Sequence, residues 1–262
     1  MTRREGRPVV EQTPDAVCAQ PPTDLGASLF ARYAYAPNEL GYCGPDGAAD
    51  LLDHAAHGTN EIELASRAPQ FDGAWVYLEA IAAAARLSPL DAQVVEAYWV
   101  GNDLLSLVDA AELLAALQAR FRQQSGGLLP HLVASPDVLA HHGFHVFAVY
   151  PWVGLLDNGG GVPRSVLDSC RIRWGTVVSI VGDRLDVECR ALTWQNSRLG
   201  LGSPQLQSVR WSAAGKSLLL APAVGDVVSM HWDWVCDRLA PAQVDTLAAA
   251  TEHALSLANA QR

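Results

Sequence analysis

Charge is scarce in this chain, and what there is leans one way. Only 18% of the 262 residues are Asp, Glu, Lys or Arg, and the formal net charge is -10. A basic face able to neutralise phosphates is missing. That argues against a nucleic-acid partner and against an anionic membrane surface. No apolar run is clean enough to span a bilayer. The richest, "GLLPHLVASPDVLAHHGFHVFAVYPWVGLL", is broken by His, Asp and Pro. Five cysteines occur (Cys18, Cys43, Cys170, Cys189 and Cys236), but no CxxC pair among them, so a structural zinc knuckle has no support. No apolar core follows the basic "MTRREGRPVV", which predicts no signal peptide and a cytoplasmic protein with reduced thiols. Signatures of common enzymes are missing too: no GxSxG, no HExxH, no GxxxxGK[ST], and no GxGxxG after a strand.

Half of the residues are hydrophobic, so the chain can bury a substantial core. Its pattern divides in two. Residues 1–24 lack periodicity and read as a loose arm. From 25 to 156 the pattern is mainly helical. "AWVYLEAIAAAARL" puts Trp75, Leu78, Ile81, Ala82 and Ala85 on one stripe. "SPLDAQVVEAYWVG" has Ser88 as its expected N-cap, Pro89 in the first turn and Gly101 past its end. A third helix is expected to stop at Gly126-Gly127. "FHVFAVYPW" alternates like a strand. "DNGGGVP" marks a linker over 157–164. Short Val-rich segments then recur, beginning with "CRIRWGTVVSI", and a final helix runs from about Ala240 to Ala260. The expectation is an α+β protein: a helical domain, then over 165–262 a small barrel separable from it, closed by a C-terminal helix.

The segment "GDVVSMHWDWVCDRLAP" carries the chemistry of the second half. Strand alternation puts Trp232, Trp234 and Cys236 on one face and His231 with Asp233 on the other. Asp233 would then orient the His231 imidazole, as carboxylates do beside metal-bound histidines. A half-exposed rim histidine fits the same spacing. Together, "CRIRWGTVVSI", "VGDVVSMHWDW" and "DRLAPAQVDTL" resemble the HypC family of nickel–iron hydrogenase maturation chaperones. Cys170, Gly175, Gly225-Asp226 and His231 match its motif. The resemblance implies an OB-like barrel. It also implies that Cys170 and His231 hold an iron fragment bearing cyanide and carbon monoxide, or contact the hydrogenase large-subunit precursor or other maturation proteins. Arg171 and Arg173 flank Cys170 and are expected to favour its thiolate.

The helical half offers a second candidate. "FARYAYAPNELGYCGPDGA" concentrates Glu39, Tyr42 and Cys43 near turn residues, and "HHGFH" supplies His141, His142 and His145. His142 and His145 are candidates to converge with Cys43 on a metal or haem, and Cys43 with His145 is a candidate nucleophile pair. A tight helix–loop–helix turn would look much the same. Gly143 and the strand pattern after it argue against a helix at these histidines. This first segment, with "FHVFAVYPW", also resembles an uncharacterised actinobacterial protein family, which implies no activity. Two functions are therefore carried forward: a non-catalytic accessory factor in hydrogenase maturation, and an enzyme acting through Cys43 and the histidines.

Overall fold

A computed structural model describes residues 25–57, 61–124, 127–158 and 161–261 of the chain. The expected arm over 1–24, with Cys18, lies outside the described residues. So do Gly126 of the expected helix stop and Gly159-Gly160 of the expected linker. The protein is α+β. Six helices come first: α1 (Leu25–Glu39), α2 (Ala48–His57), α3 (Glu61–Arg67), α4 (Asp72–Ala85), α5 (Ala92–Trp99) and α6 (Ala110–Arg120). Among the described residues no helix is long and apolar enough to cross a membrane.

Helix α1 is apolar nearly all round, with Phe30, Ala31, Tyr33, Ala34 and Ala36 buried, and so lies in the middle of the molecule. Helix α4 buries Leu78, Ile81 and Ala82 as its period predicts; Tyr77 is buried with them, and Trp75 is only partly covered. Helix α5 starts later than its sequence suggests. Asp91, not Ser88, is the N-cap, its carboxylate accepting from the Gln93 amide at 2.9 Å. Ser88 instead closes a turn before the helix, its carbonyl accepting from Asp91 N–H.

The segment read as a strand, "FHVFAVYPW", is helical. It comprises α7 (His142–Phe144), a π-helical turn (His145–Val149) and a 3-10 turn (Pro151–Leu155). Every residue from His141 to Val149 is buried. An apolar run buried on all sides carries no period, so alternation there is not a strand signal. The backbone bonds are local instead, as in Tyr150 N–H to the His145 carbonyl.

The expected linker over 157–164 is not a linker at its end: α8 (Val162–Cys170) begins inside it, with Pro163 in its first turn, where a fixed φ suits a helix start. Cys170 therefore ends a helix and does not open a strand. Seven strands follow: β1 (Arg173–Val181), β2 (Arg184–Gln195), β3 (Arg198–Arg210), β4 (Ser212–Ala213), β5 (Lys216–Ser217), β6 (Val227–His231) and β7 (Trp234–Arg238). Helix α9 (Pro241–Ala260) closes the chain, with Pro241 in its first turn and Leu247, Leu255 and Leu257 buried. β4 and β5 make a separate ribbon. The other five strands form one mixed, strongly curled sheet in the order β1-β2-β3-β7-β6. Its antiparallel ladders are long, but β3 meets β7 at a single parallel pair, Arg210 with Trp234. The β2–β3 hairpin turns on Asn196 and Ser197, both at positive φ, the backbone that a two-residue turn between twisted strands requires. Gly175 is where β1 crowds β2: a Cβ there would lie 2.3 Å from the Glu188 carbonyl oxygen.

One contiguous core joins the two halves. It runs from Phe30 and Tyr33 of α1 through Tyr98 and Trp99 of α5 to Val228, Met230 and Trp234 of the sheet. Trp234 is its largest fully buried side chain. The indole N–H donates to Glu39 at 3.0 Å, Arg210 lies 4.5 Å over the ring, and Tyr35 meets it edge-on at 5.0 Å. Trp234→Ala removes this packing and is expected to destabilise the protein by about 3–5 kcal/mol, measured by denaturant or thermal unfolding. An unchanged midpoint would contradict the placement of Trp234 at the junction.

Candidate metal centre in a buried cavity

Helix α1 contains a proline, Pro37. Having no N–H, it cannot donate to the carbonyl of Tyr33 one turn earlier, and that buried acceptor needs another partner. His231 supplies it: its Nδ1 lies 2.7 Å from the Tyr33 carbonyl oxygen. A carbonyl only accepts, so the proton is on Nδ1 and Nε2 keeps its lone pair. His231 is buried, and this Nε2 has no hydrogen-bond partner.

The end of α8 docks beside it. The last carbonyls of a helix have no intrahelical donor. The Ser169 carbonyl accepts from the Trp232 amide at 2.7 Å, in the turn between β6 and β7. The Cys170 carbonyl lies 2.8 Å from His142 Nε2. Arg171 and the buried Asp168 hold each other at 2.8 Å, and Asp168 also accepts from the Leu192 amide, which pins α8 to β2. These contacts bring His142, Cys170 and His231 together. Their ligand atoms all lie within 4.8 Å of one another, and all three residues are buried.

The donor set suits a soft cation: one thiol and two imidazoles. His231 can ligate as it stands, and Cys170 can once its thiol proton is lost. His142 has both ring nitrogens engaged, with Nδ1 3.1 Å from the Tyr98 hydroxyl, which in turn lies 2.8 Å from the Gly73 carbonyl. That chain makes three links between two terminal carbonyls, and a neutral imidazole and a phenol bring only two protons to it. A cation taken at Nε2 in place of the Cys170 carbonyl would resolve the shortage. Nδ1–H would then donate to Tyr98, and Tyr98 to Gly73. Hydrogen bonds of this kind behind a ligating histidine fix its orientation.

The three residues border a cavity of about 220 Å³. Tyr42, Cys43 and His145 line the same cavity, so residues that the sequence assigns to two candidate sites meet in one. Tyr42 stacks on Trp232 at 4.4 Å across its rim. Gly44, at φ +79°, lets the loop beside Cys43 pass Phe71, whose ring a Cβ would meet at 2.2 Å. Glu39 is elsewhere, paired with Arg210 at 2.6 Å.

Three expectations are corrected here. β6 ends at His231, and Trp232 takes positive φ in the hairpin turn. The alternation therefore breaks: His231 is buried, Trp232 is half-buried, and Asp233 turns outward to pair with Arg210 at 2.8 Å. The Tyr33 carbonyl, and not Asp233, orients His231. Arg171 and Arg173 do not favour a Cys170 thiolate: Arg171 serves Asp168 and the Arg190 carbonyl, and Arg173 serves Gln207 and the Trp232 carbonyl. Burial, with Cys43 nearby, raises the Cys170 thiol above its usual range. The "HHGFH" histidines sit on a helical turn after all. His141 caps it, its Nδ1 accepting from Gly143 N–H at 2.9 Å. Tyr33 lies in the turn-rich segment that the sequence singles out, but its part is played by a backbone carbonyl that no motif shows; Tyr98 and Pro37 carried no motif and were missed, and only the proline inside a helical run hinted at a freed carbonyl.

The sequence model of a family of unknown function, DUF6390, matches residues 22–262. The chain belongs to this family. No curated protein and no solved structure matches it. The family thus covers the helical half and the sheet together, and with them every residue of the cavity.

Electrostatics in the cavity favour neutral groups. Burial pushes the Cys43 thiol up to about 12, so it is poorly activated as a nucleophile. Burial holds His231 down to about 4 and His145 to about 3, and puts His142 well below its ordinary value. His141 is likewise held to about 4. The unfolded chain protonates each near pH 6.5, whereas the fold resists until about pH 4 or lower. The unfolded state therefore binds more protons between these limits. The stability these histidines contribute is complete above pH 6.5 and is lost as pH falls toward 4, by ~1.4 kcal/mol per pH unit per histidine. Thermal unfolding should show a midpoint falling steadily over that window, and a flat profile would refute the neutral buried cluster.

Proposed function

We propose that the protein is a non-catalytic accessory factor of nickel–iron hydrogenase maturation. It holds a soft metal fragment on Cys170, His231 and His142 while docked to the large-subunit precursor in the cytoplasm. The observation that carries this reading is the convergence of the three ligand residues on one buried cavity. The HypC resemblance supplies the biological setting. The curled five-strand sheet, with Cys170 and His231 at one end of it, supports a HypC-like, OB-like barrel. The fragment carrying cyanide and carbon monoxide is the cargo that this resemblance implies. A held cargo needs desolvated, neutral, well-oriented ligands and no activated nucleophile, and the cavity has this character.

The full chain, isolated without oxygen from a host that makes the hydrogenase, is expected to carry metal, to show infrared bands of metal-bound carbonyl and cyanide, and to bring down the precursor. Cys170→Ala and His231→Ala should each lose the metal and slow maturation while remaining folded. Normal maturation with both folded variants would overturn the proposal.

Two further outcomes test the ligand chemistry. The histidines are already neutral and the thiol is not ionised, so metal binding should release about one proton, and affinity should rise roughly tenfold per pH unit near neutrality. Calorimetry in two buffers of different ionisation enthalpy measures this. Release of no proton would exclude Cys170 as a ligand. Pro37→Ala restores an N–H that competes with His231 for the Tyr33 carbonyl. It should weaken metal binding by about tenfold with little change in the fold.

A further inference from the structure

The metal position is closed. Cys170, His142 and His231 are only 7%, 5% and 1% exposed, and His231 Nε2, the lone pair assigned above to a metal, is out of reach of solvent. A metal fragment with its own ligands is larger than a water molecule, so it has no standing route to that atom. A side chain on the cavity wall has to move before the site can be filled or emptied. Trp232 is placed to do so. It follows His231 directly in the chain and is half-buried. It also borders two spaces: the cavity of about 220 Å³ on its inner side, and on its outer side a surface groove of about 510 Å³ whose walls include Leu40, Arg173 and Arg210. Among the described residues, Trp232 alone lines both. Its side chain is therefore part of the partition between the buried site and the outside.

The backbone of Trp232 is held firmly and its ring is not. The Trp232 amide donates to the Ser169 carbonyl at 2.7 Å, and its own carbonyl accepts from Arg173. Among the described residues, the indole N–H has no hydrogen-bond partner. The ring can thus rotate about its side-chain bonds without breaking a hydrogen bond or shifting the turn. It stacks at the rim on Tyr42, with ring centres 4.4 Å apart and planes 22° apart. Tyr42 is 52% exposed, so it has solvent to swing into. The backbone conformation marks the same residue. A φ of +54° is uncommon for a bulky side chain, and a hairpin turn takes Gly or Asn there with less strain. Strain of this kind collects at sites that switch.

We infer that Trp232, latched by Tyr42, is the gate through which the buried site is filled and emptied. This deepens the metal-holding reading above, and the purpose of the gate rests on it; the gate itself is testable without a metal. Trp232 and Tyr42 act on access and supply no ligand atom. They set how fast the site exchanges its contents and not how tightly it holds them. Cys170, behind the gate, reports on its opening, because its sulfur can meet a reagent only while the ring is displaced. Cys236, wholly buried in the sheet away from the cavity, reports on loosening of the whole fold.

The test begins with the full-length metal-free protein and iodoacetamide, with each modified cysteine identified by mass spectrometry. Tyr42→Ala and Trp232→Gly should each speed alkylation of Cys170 by about fivefold, the change that loss of one aromatic stack gives. Tyr42→Phe keeps the stack and should match the parent. Glycine suits the backbone at 232, so Trp232→Gly should keep the parent's melting temperature. Cys236 should stay unreactive throughout. An unchanged Cys170 rate in both Tyr42→Ala and Trp232→Gly would overturn the gate, and so would equal acceleration at Cys236. Cobalt(II) loading, followed by thiolate-to-cobalt absorption without oxygen, joins the gate to the metal. Association and chelator-driven release should quicken together in the two variants, leaving the dissociation constant unchanged. Faster release alone, with weaker affinity, would make these rings part of the binding site and refute a gate. No cobalt–thiolate band in the parent protein would instead sink the metal-holding role, while the alkylation rates still decide the gate.

Discussion

The geometry of the buried cavity depends on one carbonyl oxygen. Pro37 deprives Tyr33 of its helical donor, and the freed acceptor is answered from the far end of the sequence by His231, at 2.7 Å. That bond joins the helical half to the sheet and sets the tautomer of a buried imidazole. Neighbouring contacts reinforce it: the Tyr33 hydroxyl meets Ser229 at 2.8 Å, and the Tyr33 ring stacks on Trp99 at 5.4 Å. Helix α1 thus acts as the surface on which the β6–β7 hairpin is registered. Without the proline, a complete α1 would have no carbonyl to offer there.

The end of α8 applies the same logic. Its unsatisfied carbonyls are met by the Trp232 amide and by His142, so the demands of a helix terminus bring a thiol, two imidazoles and a tight turn into one place. The surroundings are aromatic and uncharged. Burial keeps the Cys170 thiol and the histidines there neutral at ordinary pH, which makes the thiol a poor nucleophile.

Parts of this arrangement were legible in the sequence. The change of hydrophobic pattern along the chain gave the α+β class, and the periodicity of "AWVYLEAIAAAARL" located α4. Cys170 and His231 stood out as a pair through the HypC resemblance, and the turn-rich loop drew attention to Cys43. The strand reading of "FHVFAVYPW" failed because a segment buried on every side shows no period, and its local hydrogen bonding left no mark in residue types. The pairing of His231 with Asp233 failed because strand alternation holds only within a strand, and the hairpin turns between them at Trp232. His142 was assigned to a separate site because nothing in a linear pattern shows that the end of α8 meets α7. The roles of Tyr33 and Tyr98 rest on backbone carbonyls, which every residue possesses and no motif reveals.

The contacts that orient the cavity are drawn from distant parts of the chain. The bond between Tyr33 and His231 spans 198 positions, and α7 and α8 enter between them. Contacts of such long range form late, because closing large loops costs entropy before any bond compensates for it. A ribosome-bound chain lacking the β6–β7 hairpin has Cys43, His142 and Cys170 but no His231 and no floor to the cavity. The cluster of His142, Cys170 and His231 is therefore complete only once synthesis has passed the hairpin and the chain has collapsed around it. On the proposed reading, an unfinished or partly folded copy would lack a ligand and compete poorly for cargo.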